Sequence, residues 1–400
     1  MNQGLLDKLK RVTFRDLLSV ILAFLAVIPA VFYRKRQPDL WLISDCPNEA
    51  RDNAFSFFKY LRRCHPEQKA VFALARSSPD MNKVIEIGEV VPYGSLRHWI
   101  YYYASRHVIS SQKASGPDAA VCYILERFRL VSCNKIFLQH GIIKDNISFL
   151  YYKYTKIRLF TCSTLQEWKY VRENYGYPPN NVQLLGLCRF DELWHTETLK
   201  RQIVIMPTWR KYLSHPSRNN SNEKLASDFE ESIYYKKWNE LLCSEKFAQF
   251  LQENKLNAVF YLHREAQKFS HCFSSQIPQI KIGKFPEDNV QTLLKESMIL
   301  ITDYSSVAMD FAYMSKPLIY YQFDYDQFRK GHLAEGYFSY EEDGFGDVCK
   351  NVQSLLCSLL SLKENSMRIS EKYQKRAESF FTLRDSNNCA RTYEAIRKIL

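Results

Sequence analysis

The stretch Met298–Ala312, MILITDYSSVAMDFA, changes character twice within a few residues. Met298–Thr302 is a short apolar run with the length of a buried strand, and from Val307 the apolar residues fall at helical spacing. Between them sit Asp303, Tyr304, Ser305 and Ser306. A strand that passes through a short polar turn into an amphipathic helix is the repeating unit of an α/β fold. The same alternation continues in both directions. Upstream, Leu40–Ser44, Ala70–Leu74, His107–Ser110, Lys135–Leu138, Arg158–Cys162 and Val182–Gly186 read as strands, with helices such as Ala54–Arg63 and Leu165–Tyr175 between them. A second series follows with Ile203–Met206, Ala258–Leu262, Ile280–Ile282 and, beyond Met298–Thr302, Pro317–Tyr321. Two consecutive parallel-sheet, Rossmann-like domains with right-handed crossovers are the simplest reading, at 38–195 and 196–362. Residues 363–400 read as helices that pack back on the first domain, and Ser214–Lys224 as a polar loop within the second.

Composition limits the function classes. At about 100–200 residues per domain, 400 residues fit such a two-domain unit. Hydrophobic residues make up 46% and charged residues 24%, as in a folded chain with a full core. The 11 cysteines are scattered without a C-x-x-C pair, which argues against a zinc site or a disulfide framework and suits a reducing compartment. The net charge of +12 is unevenly placed. Residues 1–36 carry seven basic side chains (Lys8, Lys10, Arg11, Arg15, Arg34, Lys35 and Arg36) and two acidic ones, a net +5. The last 38 residues hold nine basic and five acidic groups that alternate as on a solvated helix face, a net +4, leaving +3 for residues 37–362. A nucleic-acid binder is therefore disfavoured. Between the first basic clusters lies Leu17–Tyr33, interrupted only by Ser19 and Pro29. As a helix it would rise roughly 25 Å, just short of a hydrocarbon core of about 30 Å. With basic flanks at both ends, residues 1–37 read as a membrane-association segment that crosses, dips into or lies on an anionic inner leaflet, at the cytoplasmic face of the cell membrane.

In parallel sheets the ligand crevice lies beyond the carboxyl ends of the strands. Four polar strand ends converge there. Lys135–Leu138 runs into Gln139-His140-Gly141-Ile142-Ile143-Lys144-Asp145, where His140 can act as a general base and Gly141 permits a close approach. Ser305 and Ser306 stand at a helix start suited to phosphate. Ile203–Met206 runs into Pro207-Thr208-Trp209-Arg210, and Ala258–Leu262 into His263-Arg264. An arginine and a histidine from neighbouring strands could neutralise a diphosphate without a metal. Asp303, Asp310 and Asp324 are too dispersed for the D-x-D pair that holds a divalent ion, and neither G-x-G-x-x-G nor a P-loop occurs. No metal and no cofactor is expected.

Taken together, QHG-x-x-K-D (Gln139–Asp145), G-x-x-R-F-D (Gly186–Asp191), P-T-W-R (Pro207–Arg210), T-D-Y-S-S-V-x-x-D-F-A (Thr302–Ala312) and K-P-L-I-Y-Y-x-x-D (Lys316–Asp324) resemble the CDP-glycerol glycerophosphotransferases. Asp52-Asn53 and Phe57–Leu61 are similar to the opening of the first domain in capsule-type members. The resemblance covers Trp41 to Val348 and continues through the C-terminal helices. It implies a GT-B-like arrangement and transfer of a polyol phosphate, glycerol phosphate foremost, from a CDP-activated donor to a hydroxyl of a lipid-linked polymer acceptor, with release of CMP. By that resemblance His140 is the base, and His263 or Arg210 stabilises the departing CMP phosphate. Gly141, Lys144, Asp145, Arg189, Arg210, Asp303, Ser305, Ser306, Asp310 and Asp324 are the substrate-binding set. Two departures stand on the donor side. Arg264 follows the second histidine where the family commonly has proline, and Gly344-Phe345-Gly346 replaces a Gly-Pro-Gly-like turn. They leave CDP-ribitol, a sugar nucleotide with a glycosyltransferase reaction, and a non-enzymatic assembly scaffold as rival readings.

Overall fold

Most of the strands are buried on both faces, as parallel strands covered by crossover helices must be. In the computed structural model, which describes residues 14–194, 196–213, 222–331 and 334–399, they form two all-parallel sheets. The first contains β1 (Trp41–Ser44), β2 (Ala70–Leu74), β3 (Val90–Pro92), β4 (His107–Ser110), β5 (Asn134–Phe137), β6 (Leu159–Cys162) and β7 (Val182–Leu184), in the order β3-β2-β1-β4-β5-β6-β7. The second contains β8 (Gln202–Met206), β9 (Asn257–Tyr261), β10 (Ile280–Gly283), β11 (Ile299–Thr302), β12 (Leu318–Tyr321) and β13 (Gly346–Cys349), in the order β10-β9-β8-β11-β12-β13. Each sheet reverses direction beside its first strand, between β1 and β4 and between β8 and β11. Those two switch points are where a doubly wound sheet opens a crevice. The edge strands β3 and β13 were not among the expected elements.

Helices set the geometry around these crevices. Those used below are α1 (Phe14–Arg36), α2 (Asn53–Cys64), α3 (Leu96–Ala104), α4 (Ala119–Arg127), α5 (Leu165–Asn174), α6 (Val307–Tyr313), α7 (Glu371–Phe380) and α8 (Asn388–Arg397). The C-terminal segment divides between the domains. Phe380 of α7 packs on Phe345 and Phe338 of the second domain, at ring-centroid distances of 5.2 and 5.8 Å. Tyr393 of α8 stacks on His65 at 3.7 Å and reaches Trp41 of the first. The chain passes between domains through Gly186–Asp191, and this motif fastens α8. Gly186 has φ +85°, and a Cβ there would lie 1.7 Å from Asn388 Oδ1. Asp191 Oδ1 accepts from the Asn388 backbone N–H (2.8 Å) and side-chain amide (2.7 Å), while Oδ2 accepts from Cys389 N–H (2.9 Å).

By length and composition α1 could cross a membrane over Asp16–Arg36. One stripe of it, Ser19, Ala23, Ala26 and Ala30, is buried, the alanines joining Trp99, Tyr101 and Tyr102 of α3 in one core cluster. The small side chains allow the two helices to approach closely, and Tyr33 meets Tyr101 at 4.9 Å. The other face is bare: Phe24, Ile28 and Phe32 are 77%, 71% and 63% exposed. Lys8, Lys10 and Arg11, and positions 214–221 of the polar loop, lie outside the described residues. Asn222–Glu230 is a helix, so the remainder of that loop is shorter than expected.

Because Asp191 satisfies three donors at the start of α8, Asp191→Ala should lower stability by about 1–2 kcal/mol. A fall in the urea midpoint at unchanged slope would register it.

Candidate active site

A cavity of about 410 Å³ lies between the carboxyl ends of the two sheets. His140, following β5, and His263, following β9, both line it, as do Ser305, Ser306 and Asp310. Gly141 and Ser306 bring the two domains into contact. A Cβ at Gly141 would lie 2.6 Å from Ser306 Oγ, so only glycine permits the histidine loop to close on the serine turn.

The His140 loop is pinned from both sides. Gln139 adopts φ +61°, a left-handed conformation that costs a non-glycine residue strain and needs compensating contacts. Asn53 of α2 donates to the Gln139 carbonyl (2.8 Å) and accepts from Arg189 N–H (2.9 Å). Glu167 of α5, fully buried, accepts through Oε1 from the Gln139 amide (3.1 Å) and from Ile143 N–H (2.7 Å). Its Oε2 accepts from Ser163 N–H (2.7 Å). Burial pushes the Glu167 carboxyl up to about 7, against the pull of these donors. None of this was expected from sequence, since Glu167 reads as an ordinary first-turn acid of a helix.

Both imidazoles are open to the cleft, yet the protein walls that surround them hold them toward the neutral form. Burial lowers the His140 pKa below its usual 6.5, opposed by the Asp52 carboxylate, while Arg189 lowers it further. The Ser111 carbonyl accepts a hydrogen bond from the His140 ring, which leaves the other ring nitrogen for the cleft. His263 is also lowered by burial, Glu265 opposing and His140 reinforcing. Its Nδ1 accepts from Glu265 N–H (3.3 Å), so in the neutral ring the proton sits on Nε2. One imidazole is thus free to accept and the other to donate.

The expected cations and their acidic neighbours are corrected by the structure. Arg210 was expected to hold a donor diphosphate, yet its side chain is 0% exposed. Its Nε and Nη2 donate to Asp324 (2.8 and 3.0 Å), Nη2 also to Asp303 (2.8 Å), and Nη1 to the Thr208 carbonyl (2.7 Å). Tyr304, Phe328 and Tyr234 enclose the guanidinium. Asp303 and Asp324 therefore serve Arg210, and Asp303 also caps Thr208 and Tyr304 N–H. Lys144 and Asp145 are similarly consumed. Asp145 accepts from Lys144 Nζ (2.6 Å) and Arg329 Nη1 (2.5 Å), joining the two domains beneath the histidine loop. Arg189 and Asp310 do reach the cavity wall, but as a pair. Arg189 Nε and Nη2 fork onto Asp310 (2.9 and 2.7 Å), and Nη1 reaches Asp52 (3.0 Å).

Other lining residues were missed. Arg264 spans the domains to Glu49 (2.8 Å) and keeps a part-exposed side chain. Arg51, held by Asp80 (2.8 Å), lies over the Phe285 ring at 5.2 Å. Asp45 accepts from Asp52, Ala54 and Phe55 N–H and from Ser111 Oγ, and burial beside Asp52 pushes its carboxyl up to about 7. A charged residue after a short strand, as in Asp45, was the available signal.

Two doubly wound domains closing on a histidine- and serine-lined cleft define a GT-B-like α/β protein. The chain belongs to the CDP-glycerol:poly(glycerophosphate) glycerophosphotransferase family, whose model matches residues 27–398. It is 34% identical over 373 residues to the minor teichoic acid biosynthesis protein GgaB of Bacillus subtilis, covering 92% of this chain and 40% of that protein. The chain thus spans well under half the length of this relative. Its fold is similar to that of the wall teichoic acid polymerase TagF, with TM-score 0.63 at 16% identity over 96% of both chains. It is also similar to the UDP-GlcNAc 2-epimerase of Neisseria meningitidis, with TM-score 0.52 at 10% identity over 90% of this chain and 100% of that one.

Removing Arg210 would strand two buried carboxylates. Arg210→Met should therefore cost about 3–5 kcal/mol of stability, seen in thermal melts, where a donor contact would cost affinity alone. In Glu167→Gln an amide NH2 must face a backbone or side-chain donor. Turnover should fall by roughly 10–100-fold through displacement of His140, with donor KM little changed, in steady-state kinetics.

Proposed function

We propose that this chain transfers glycerol phosphate from CDP-glycerol to a hydroxyl of a membrane-linked teichoic-acid acceptor, releasing CMP. The family membership and the GgaB and TagF likenesses support the reaction class, and a TagF variant has been soaked with CDPG. The observation that carries the reading is that His140 of the first domain and His263 of the second line one cleft with Ser305 and Ser306, with His263 Nδ1 engaged by Glu265 N–H so that its other nitrogen can donate.

The acceptor hydroxyl loses its proton to the His140 nitrogen not engaged by Ser111. Its oxygen attacks the glycerol-bearing phosphorus in line, and the bond from that phosphorus to the CMP oxygen breaks. His263 Nε2–H donates to the departing CMP phosphate, and the Ser305 and Ser306 hydroxyls hold the non-bridging oxygens. Part-exposed Arg264 supplies the positive charge expected of Arg210. The His140 proton then passes to water. In-line phosphoryl transfer of this kind needs positioning and charge stabilisation more than a covalent intermediate, and it uses no resident cofactor.

The bare apolar face of α1, with Arg34, Lys35 and Arg36 in its last turn, rests in the anionic inner leaflet. Its alanine stripe is occupied by α3, which fits a helix lying at the membrane surface better than one crossing it.

CMP release with CDP-glycerol, CDP-ribitol, UDP-sugars and CMP-sugars, each with a lipid acceptor, tests the donor. Release from a CMP-sugar alone would overturn the reading. His140→Ala should abolish turnover, by about 10²–10⁴-fold, while CDP-glycerol binding persists. The catalytic form of His140 is neutral, so the acid limb that His140 itself contributes to kcat/KM should lie below pH 6.5, while protonation of Glu167, whose carboxyl is pushed up to about 7, should begin to lower kcat/KM already near neutrality. Asp52 favours the imidazolium, so Asp52→Asn should move that acid limb to lower pH in a pH–rate profile.

A further inference from the structure

We propose that the groove between α1 and α4 seats one hydrocarbon chain of an anionic phospholipid, with the lipid phosphate at Arg34. The inference rests on the membrane reading of α1 above and adds to it a discrete site.

The groove has a volume of about 570 Å³. That is within the roughly 300–1,000 Å³ of small-molecule sites. Phe24, Val27 and Val31 of α1 form one wall, Ile124 and Leu125 of α4 the other, and Leu130 closes an end. Apart from the Tyr103 ring, the polar lining consists of Arg34 and Ser132. These meet at one place, where Arg34 Nη1 donates to Ser132 Oγ at 2.5 Å. Phe24, Ile124 and Leu130 are at least half exposed, so water would otherwise wet the rim.

Charge selects the occupant. Lys35 and Arg36 follow Arg34 in the last turn of α1, and Arg127 and Arg129 flank the approach to Leu130. Among the described residues that line the groove there is no carboxylate. An apolar slot with cations at one end matches a chain that carries its own anion. A second copy of this chain would bring the same cations and no acid to meet them. The phosphate end also lies away from the chemistry. Ser132 precedes β5 and His140 follows it, so Arg34 sits at the opposite edge of the sheet from the catalytic cleft. The site would therefore hold a structural lipid of the leaflet rather than the reacting end of the acceptor.

The full chain, purified in mild detergent with phosphatidylglycerol or phosphatidylcholine, would be weighed by native mass spectrometry. One retained phosphatidylglycerol per chain is expected, with phosphatidylcholine held several-fold less. Ile124→Trp, which fills the groove from a half-exposed position, should lose the retained lipid. Arg34→Gln should reduce the preference for the anionic lipid by about fivefold, the contribution of one basic residue near an anionic headgroup. Both variants should keep transferase activity on a water-soluble acceptor, which reports an intact fold. Co-sedimentation with phosphatidylglycerol vesicles separates this inference from the broader membrane reading. Vesicle binding without a retained lipid, or equal retention by the wild type and Ile124→Trp, overturns the groove and leaves membrane docking standing. A retained phosphatidylglycerol without vesicle binding supports the groove and overturns docking.

Discussion

Arg189 ties the two domains to each other. It lies in the segment that leads from one sheet to the other, forks onto Asp310 of the second domain and reaches Asp52 of the first. A buried guanidinium between two carboxylates adds little net stability over a well-packed apolar core, but it is very costly to leave incomplete. The arrangement therefore works as a constraint on geometry. Domains that swung apart would strand Asp310 or Asp52 without a counter-ion. The backbone N–H of the same residue donates to Asn53, and Asn53 donates to the Gln139 carbonyl. The residue that fixes the domain angle is thus two hydrogen bonds away from His140.

That constraint explains how the cleft divides its labour. Arg189, Arg210, Lys144 and Arg329 are all paired with carboxylates, so each cation fixes a loop at a carboxyl end of a sheet. Open to the cleft are two exposed imidazoles, the Ser305 and Ser306 hydroxyls, and Arg264, which pairs with Glu49 across the domains yet stays part-exposed. A site dominated by free arginines would bind a diphosphate tightly in ground and transition states alike, which raises affinity without speeding the chemistry. In the transfer proposed above, neutral rings held by Ser111 and by Glu265 N–H would act where the proton and the leaving charge develop.

Most strands were legible because each carries a run of two to five apolar, largely β-branched or aromatic residues, and their observed limits differ from the expected ones by a residue or two. β3 and β13 were not, being three and four residues long at sheet edges, with β13 reading only Gly-Asp-Val-Cys. His140, His263, Ser305 and Ser306 were legible because a polar residue directly after a buried strand has the crevice as its nearest polar surroundings. The same reasoning misplaced Arg210. Sequence gives the strand end but not the side-chain direction, and its partners Asp303 and Asp324 lie 93 and 114 residues away. Glu167 was invisible for a related reason, since two of its three donors, Gln139 and Ile143, become neighbours only when α5 packs against the loop after β5.

The direction of α1 follows from the same topology and places the cleft relative to the bare face of that helix. The helix ends at Arg36 and the chain enters β1 at Trp41, so its basic end lies at the amino edge of the first sheet. α3 leads from the carboxyl end of β3 to the start of β4, and Tyr33 near the end of α1 meets Tyr101 near the end of α3. The two helices therefore run alongside each other from the carboxyl edge to the amino edge. At about 1.5 Å per residue, a helix of this length spans the whole height of the sheet. A leaflet that takes the bare face of α1 consequently lies along the side of the first domain, with the His140 edge at one end of the contact. In the transfer proposed above, an acceptor hydroxyl carried on a membrane-linked polymer would approach the cleft along the membrane surface from that end, without the protein having to lift the lipid from the bilayer.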